Sequence, residues 1–196
     1  PMIPDCPTPS LVLAVDRGFD HAHALGLSVD LVIGDLDSVD KVALLQSSPK
    51  PLIESLPTDK DESDLEHALR FASMLEPKRI EILSGGNGRL DHLLVSTLLI
   101  ANSNYLHLPI TAHVAGSKVF AVPQGEIRTI NEPVGNLVSI ITVGPDLRCT
   151  TKGLRWNLSD DTIVKPGSSH GLSNEITGDA SIRVSKGSAI VIVTEA

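Results

Sequence analysis

An α/β amino-terminal half followed by an antiparallel β half is the fold class this sequence predicts, and three observations carry the prediction. Short apolar runs alternate with amphipathic segments as far as Leu106. A Ser-x-x-Glu capping box opens one strongly periodic helix. Beyond Pro109 the texture changes to strict apolar/polar alternation punctuated by Gly, Pro and Asn.

Taken in order, Leu11 to Val15 reads as a strand, Phe19 to Leu25 as a helix closed by Gly26, and Leu31 to Ile33 as a second strand. After Pro57, Ser63-Asp64-Leu65-Glu66 caps a helix whose Leu65, Ala68, Leu69, Ala72 and Leu75 keep helical spacing until Glu76-Pro77 stops it. Arg79 to Leu83 reads as a strand, Ser84 to Arg89 as a Gly-rich turn, and Asp91 to about Ser103 as an apolar helix expected to be buried. Repeated β-α-β units imply a Rossmann-like parallel sheet with helices on both faces. In the second half, Ile127 to Ile130, Leu137 to Val143, Ser181 to Ser185 and Ala189 to Val193 alternate as half-buried strands do, predicting an antiparallel β-sandwich or barrel. The boundary is expected between Leu106 and Ile110, giving domains of residues 1–108 and 109–196, with no internal repeat.

Composition narrows the partners. With 16 basic against 24 acidic residues the net charge is −8, which leaves no basic excess for nucleic acid or an anionic membrane. A metal-bridged phosphate remains compatible. Cys6 and Cys149 are too few for a disulfide framework or a zinc site, and both are expected to be small buried residues. The apolar runs Leu93 to Ala101 and Ala189 to Val193 fall short of the roughly 20 residues that cross a bilayer, and PMIPDCPTPS lacks a signal peptide's pattern, so cytoplasmic residence is expected.

Ligands of open parallel sheets bind beyond the carboxyl ends of the strands, and the residues found there are mostly aspartates. Asp16 follows the first strand; Asp35 and Asp37 follow the second in GDLDS; Asp59, Asp61 and Asp64 lead into the capped helix; Asp91 follows the Gly turn. Carboxylates so crowded repel one another unless a cation holds them, and hard oxygen donors suit Mg²⁺. In an extended segment Asp35 and Asp37 would point one way and Leu36 the other. A plainer reading also stands: one of the pair, or Ser38, caps a turn, while Asp59 and Asp64 answer a helix dipole. The turn Ser84-Gly85-Gly86-Asn87-Gly88-Arg89 offers backbone N–H groups and a guanidinium to phosphate oxygens, although such turns also serve close packing. It matches neither a Walker A sequence nor G-x-G-x-x-G. His92 is assigned no role. Trp156, the only tryptophan, lies in Gly153-Leu154-Arg155-Trp156-Asn157-Leu158 and is either a core filler or a stacking platform.

GDLDSVD at 34–40, PTDKDESDLEHAL at 57–69, GGNGRLDH at 85–92, GLRWNL at 153–158 and SN at 173–174 together resemble the thiamin pyrophosphokinase family. The resemblance runs in order from Asp16 to the last strand. It implies transfer of a pyrophosphoryl group from ATP to the thiamin hydroxyl, with AMP leaving, by an α/β nucleotide domain and a β domain that completes the thiamin site across a homodimer. It further implies Mg²⁺ on Asp35, Asp37 and Asp64, and nucleotide contacts from Asp16, Ser38, Lys60, Asp61, Asn87, Gly88 and Arg89. Asp91 would lie near the reacting hydroxyl as base, orienter or outer-shell metal ligand. Thiamin would stack on Trp156, with polar contacts from Ser173 and Asn174; an indole face attracts a cationic ring.

The sequence departs from the family in Leu36 where Phe is usual, in Ser63 for Thr, and in Asn87 for a Gly. Ser caps as Thr does, and Asn tolerates left-handed backbone. Only ten Pro-rich residues precede Leu11 where the family has a further strand and Gly turn, so a shortened chain or a differently built sheet edge is expected. Two rival readings stand beside this one: a pyrophosphokinase acting on 6-hydroxymethylpterin, and a non-catalytic thiamin- or nucleotide-binding protein.

Overall fold

The computed structural model describes residues 6–36, 39–57 and 59–196, which form two compact units, Pro1–Glu76 and Pro77–Ala196. In the first unit, β1 (Leu13–Val15), β2 (Leu31–Gly34) and β3 (Leu52–Ser55) make a parallel sheet in that order. β1 pairs with β2 from Leu13 opposite Leu31 to Val15 opposite Ile33. Successive residues face opposite ways, so the sheet presents two apolar faces. Ala14 and Val32 pack with Phe19 and Ala22 of α1 (Gly18–Ala24), while Leu31 and Ile33 pack with Ala68 of α3 (Asp64–Ser73). Helices therefore cover both faces. α2 (Lys41–Gln46) links β2 to β3, and its Asp40 cap accepts from Val42 N and Ala43 N. Ser63 caps α3 by accepting from Glu66 N at 3.2 Å.

The second unit opens with β4 (Ile80–Ser84) and α4 (Leu90–Leu99). Then come β5 (Ile110–Val114), β6 (Ser117–Val122), β7 (Ile127–Ile130), β8 (Leu137–Thr142), β9 (Leu147–Leu154), β10 (Ile163–Val164), β11 (Asn174–Lys186) and β12 (Ala189–Thr194). All nine strands belong to one sheet, ordered β10-β9-β11-β8-β12-β6-β5-β4, with β7 beside β11. Only β4 and β5 pair in parallel; every other pairing is antiparallel. β11 pairs with β8 at Asn174 and Glu175, with β9 from Ile176 onward through a register shift between Ile176 and Ser181, and with β7 from Ala180 to Arg183. The sheet thereby wraps a core that includes Val138, Ile140, Leu147, Ile176, Ile182, Ala189 and Val191.

Three expectations change. The Gly-turn helix is not buried: Leu90, Leu94 and Val95 are exposed and only Leu99 among its residues is buried. Cys149 is buried as expected, but Cys6 is only half-buried. Leu36 has φ 59°, so the backbone is left-handed there and not the extended segment expected, while Asp37 lies outside the described residues. The cause is apolar: Leu36 packs against the cluster of Ala14, Phe19 and Val32. The change of texture near Leu106 to Ile110 marks where helices end, whereas the compact units part at Glu76 because β4 pairs with β5 from Ile80 opposite Ile110.

Candidate active site

Gly34 ends β2 with φ 145°, and a Cβ built on it would lie 1.9 Å from Asp16 Oδ1. The glycine therefore makes room for a carboxylate. Asp16 itself leaves β1 at φ 48°, tied by its N–H to Ile33 O at 3.0 Å, and this left-handed step turns its side chain over the end of β2. Burial, followed by the charges of Asp64 and Asp35, pushes the Asp16 carboxyl up to about 6. Asp16 and Asp64 face each other so that one shared proton would join them by a hydrogen bond. Without that proton, Oδ1 of each is buried and accepts no hydrogen bond.

Lys60 Nζ lies 3.0 Å from Asp64 Oδ1, an ion pair by distance that lacks hydrogen-bond alignment, and donates to Pro57 O at 3.0 Å. Behind the cluster, His67 bridges Glu62 at 2.9 Å and Glu54 at 2.8 Å, fastening α3 to β3. These hydrogen bonds, with Glu62 the larger influence, hold the imidazole above its ordinary value. Asp59 and Asp61 are exposed. Asp37 and Ser38 lie outside the described residues, and among those described no group of three or more His, Cys, Asp or Glu side chains converges as a metal site. The donor chemistry nevertheless fits Mg²⁺: Asp16, Asp35 and Asp64 are hard oxygen donors in mutual repulsion, and two of their buried oxygens lack a donor.

In the second unit, the turn after β4 combines packing with exposure. Gly86 has φ 69°, and a Cβ there would come 2.6 Å from that of Ala115, so this glycine serves close approach to the β5–β6 turn. Asn87, Gly88, Arg89 and Asp91 are exposed. Arg89 grips Asp91 with both ends of its fork, Nε to Oδ1 at 3.1 Å and Nη2 to Oδ2 at 2.6 Å, and Asp91 Oδ1 also accepts from His92 N at 3.0 Å. The hydrogen bond from Arg89 holds the Asp91 carboxyl below its usual range. Both Asp91 oxygens are thus taken up by Arg89 in this arrangement.

Trp156, 62% exposed, is no core filler. The Arg155 guanidinium stands 5.1 Å from the centre of its ring and donates to Glu175 Oε2 at 3.0 Å. Ser173 is exposed at φ 51°, with its N–H donating to Ser139 Oγ at 3.1 Å. Asn174 is buried, and its amide is engaged with the Trp156 backbone. Sequence reasoning overlooked Gly34, Glu175 and the His67 bridge. The glycine directly before Asp35 was the available signal for the first; Glu175 and His67 carry none, since their partners are distant in the chain. Two surface hollows among the described residues, one bordered by Asp160 and Arg183 and the other by Phe19 and Pro49, include none of the expected site residues.

A parallel sheet with carboxylates gathered at its carboxyl edge, joined in one chain to a largely antiparallel unit displaying an exposed indole, defines a small-molecule-binding protein of the α/β-plus-β class. Residues 7–111 match the catalytic domain of thiamin pyrophosphokinase, and residues 125–191 match its vitamin B1 binding domain. The chain belongs to the thiamin pyrophosphokinase family and has that family's activity. Over 169 residues it is 25% identical to the thiamine pyrophosphokinase of Bacillus subtilis (strain 168), covering 85% of this chain and 78% of that protein. The crystal structure of thiamine pyrophosphokinase from Bacillus subtilis shares the fold at TM-score 0.85 and 22% identity, over 96% of this chain and 90% of that one. Thiamin pyrophosphokinase from Candida albicans shares it at TM-score 0.73 and 14% identity, over 95% and 83%. Among the described residues no helix is long and apolar enough to cross a membrane.

Proposed function

We propose that the chain transfers the terminal pyrophosphoryl group of ATP to the hydroxyethyl oxygen of thiamin, with Mg²⁺ held by Asp35, Asp37 and Asp64 and with AMP leaving. The observation that carries this reading is the carboxylate cluster over Gly34, where Asp16 is held near pKa 6 by burial and by Asp64 and Asp35. Such crowding is stable when a cation is part of the design. Mg²⁺, when bound, would neutralise phosphate charge and draw electron density from the bond to be broken.

The protein groups do the positioning. Lys60 balances Asp64 and stands ready for a phosphate oxygen, and His67 with Glu54 keeps the first turn of α3 in place. Arg89 offers its fork to phosphate by exchanging it from Asp91, which leaves Asp91 free to accept the thiamin hydroxyl proton in a hydrogen bond. Trp156 gives the cationic ring a face, and Ser173 a hydroxyl. The reading extends to a cytoplasmic homodimer in which a second copy completes the thiamin site; the exposed Leu90, Leu94 and Val95 of α4 supply apolar surface for such a contact.

The test is AMP formation from ATP and Mg²⁺ with and without thiamin, on the parent, Asp35→Asn and Trp156→Ala. Thiamin-dependent AMP in the parent, lost in Asp35→Asn, is the expected result. A folded parent that forms AMP with 6-hydroxymethylpterin alone, or none with either, overturns it. Sedimentation of the purified chain tests the dimer.

A further inference from the structure

Trp156 is 62% exposed and carries the Arg155 guanidinium over its ring, so the direction in which it projects depends chiefly on how its backbone is held. That backbone lies on a tight turn. Gly153, at φ 69°, lets β9 pass Asp179 so closely that a Cβ would be 2.3 Å from its carbonyl oxygen. Beyond it, Arg155 N–H donates to Glu175 O at 2.9 Å, and Leu154 N–H donates to Asn157 Oδ1 at 3.2 Å. Trp156 falls between these ties, and both of its main-chain polar groups go to one side chain. Asn174 Oδ1 accepts from Trp156 N at 3.0 Å, and Asn174 Nδ2 donates to Trp156 O at 2.6 Å.

A second backbone donor, Glu175 N at 3.0 Å, also points at Asn174 Oδ1. Two N–H groups on one end and a carbonyl on the other leave no choice over which end is oxygen. Both acceptor sites of Oδ1 are then filled, and one hydrogen of Nδ2 is used. The residue is 3% exposed. An amide so occupied has no acceptor left for a ligand, and its one remaining Nδ2 hydrogen belongs to a side chain almost wholly shut off from the surface.

We propose that Asn174 is a positioning residue for the Trp156 platform rather than a contact of thiamin: its buried amide stands in for a missing strand partner and fixes the direction in which the indole projects. The proposal rests on the reading of Trp156 as the thiamin platform. It assigns Ser173, exposed beside it, the direct polar contact, and gives Asn174 a role exercised only through Trp156.

Because Trp156 is the only tryptophan, its fluorescence reports the brace without any substrate. Time-resolved anisotropy of the ligand-free parent, Asn174→Ala and the isosteric Asn174→Asp is measured first; the aspartate keeps the acceptor and loses the donor to Trp156 O. In the variants the rapidly depolarising fraction about doubles, since the ring gains local motion. An unchanged decay in either folded variant overturns the proposal. Kinetics supply the second arm: Asn174→Ala raises KM for thiamin about tenfold with kcat nearly unchanged, but adds less than about twofold when Trp156→Ala is already present. Equal effects in both backgrounds would mean a direct contact and also overturn it. A parent without thiamin-dependent AMP formation defeats the functional reading alone, and the anisotropy still decides the brace.

Discussion

Replacing Gly34 by alanine tests the geometry of the acidic edge with a single methyl group. Two costs follow from the structure. The backbone at φ 145° is a conformation that an L side chain rarely adopts, a strain of about 1–3 kcal/mol. The new Cβ would also meet Asp16 Oδ1 at 1.9 Å, so the carboxylate must turn away or the strand end must shift. Taken together these amount to about 3 kcal/mol, or about 6–12 °C in thermal midpoint for a chain of this size. Gly26→Ala is the matched control. Its φ is 70° and a Cβ there meets nothing within 4 Å, so it carries only backbone strain, about 1 kcal/mol. Scanning calorimetry on both variants and AMP formation with thiamin form the assay. Gly34→Ala should unfold well below Gly26→Ala, and its kcat/KM should fall by about a hundredfold as Asp16 leaves the cluster, whereas Gly26→Ala keeps near-parental turnover. Equal midpoints with activity retained would show that Asp16 does not lie over Gly34, and the cluster argument would fail with it.

Asp35→Asn removes one of the charges that raise the Asp16 carboxyl, so it should abolish turnover while leaving the thermal midpoint of the ligand-free protein unchanged or higher, as read by calorimetry. His67 has a raised pKa, so its contribution to stability is complete below 6.5, the ordinary value, and is lost as pH rises through the folded value. Urea midpoints of the parent and His67→Gln should therefore differ most near pH 6 and converge near pH 9. Burial pushes the Cys149 thiol up to about 11, so a thiol reagent at pH 8 should modify Cys6 alone in the native protein and both cysteines in denaturant.

Much of this fold was legible because its elements are locally consistent. The capping box placed α3, two-residue alternation placed β7, β8 and β12, and Gly26 marked the end of α1. What escaped was set by partners far along the chain. β4 follows a helix in the usual βα manner, yet it joins β5 in the large sheet, a choice made by pairing and invisible in either segment alone. α4 is apolar enough to read as buried, but whether a helix is covered depends on its neighbours. α2 and β3 passed unnoticed because β3 is mostly exposed and short, with little alternation to find.

The residues assigned to the candidate site could be chosen by type but their geometry could not, for a physical reason visible in the backbone. Five described residues other than glycine have positive φ: Asp16, Leu36, Glu76, Ala115 and Ser173. Three of them stand in the segments assigned to the site, where each departs from what its own residue type prefers. Asp16 turns left-handed to carry a carboxylate over Gly34; Leu36 turns to bury itself beside Asp35; Ser173 turns to start β11 with Asn174 beneath the tryptophan loop. Such conformations persist only where surrounding contacts impose them, and here those contacts are a backbone bond to Ile33, an apolar cluster and a bond to Ser139. Composition can name the aspartates and the tryptophan, but the turns that aim them are chosen by long-range partners. Changing the partner, as at Gly34 or Asn174, should therefore damage the chemistry while leaving every ligand-facing residue in the sequence.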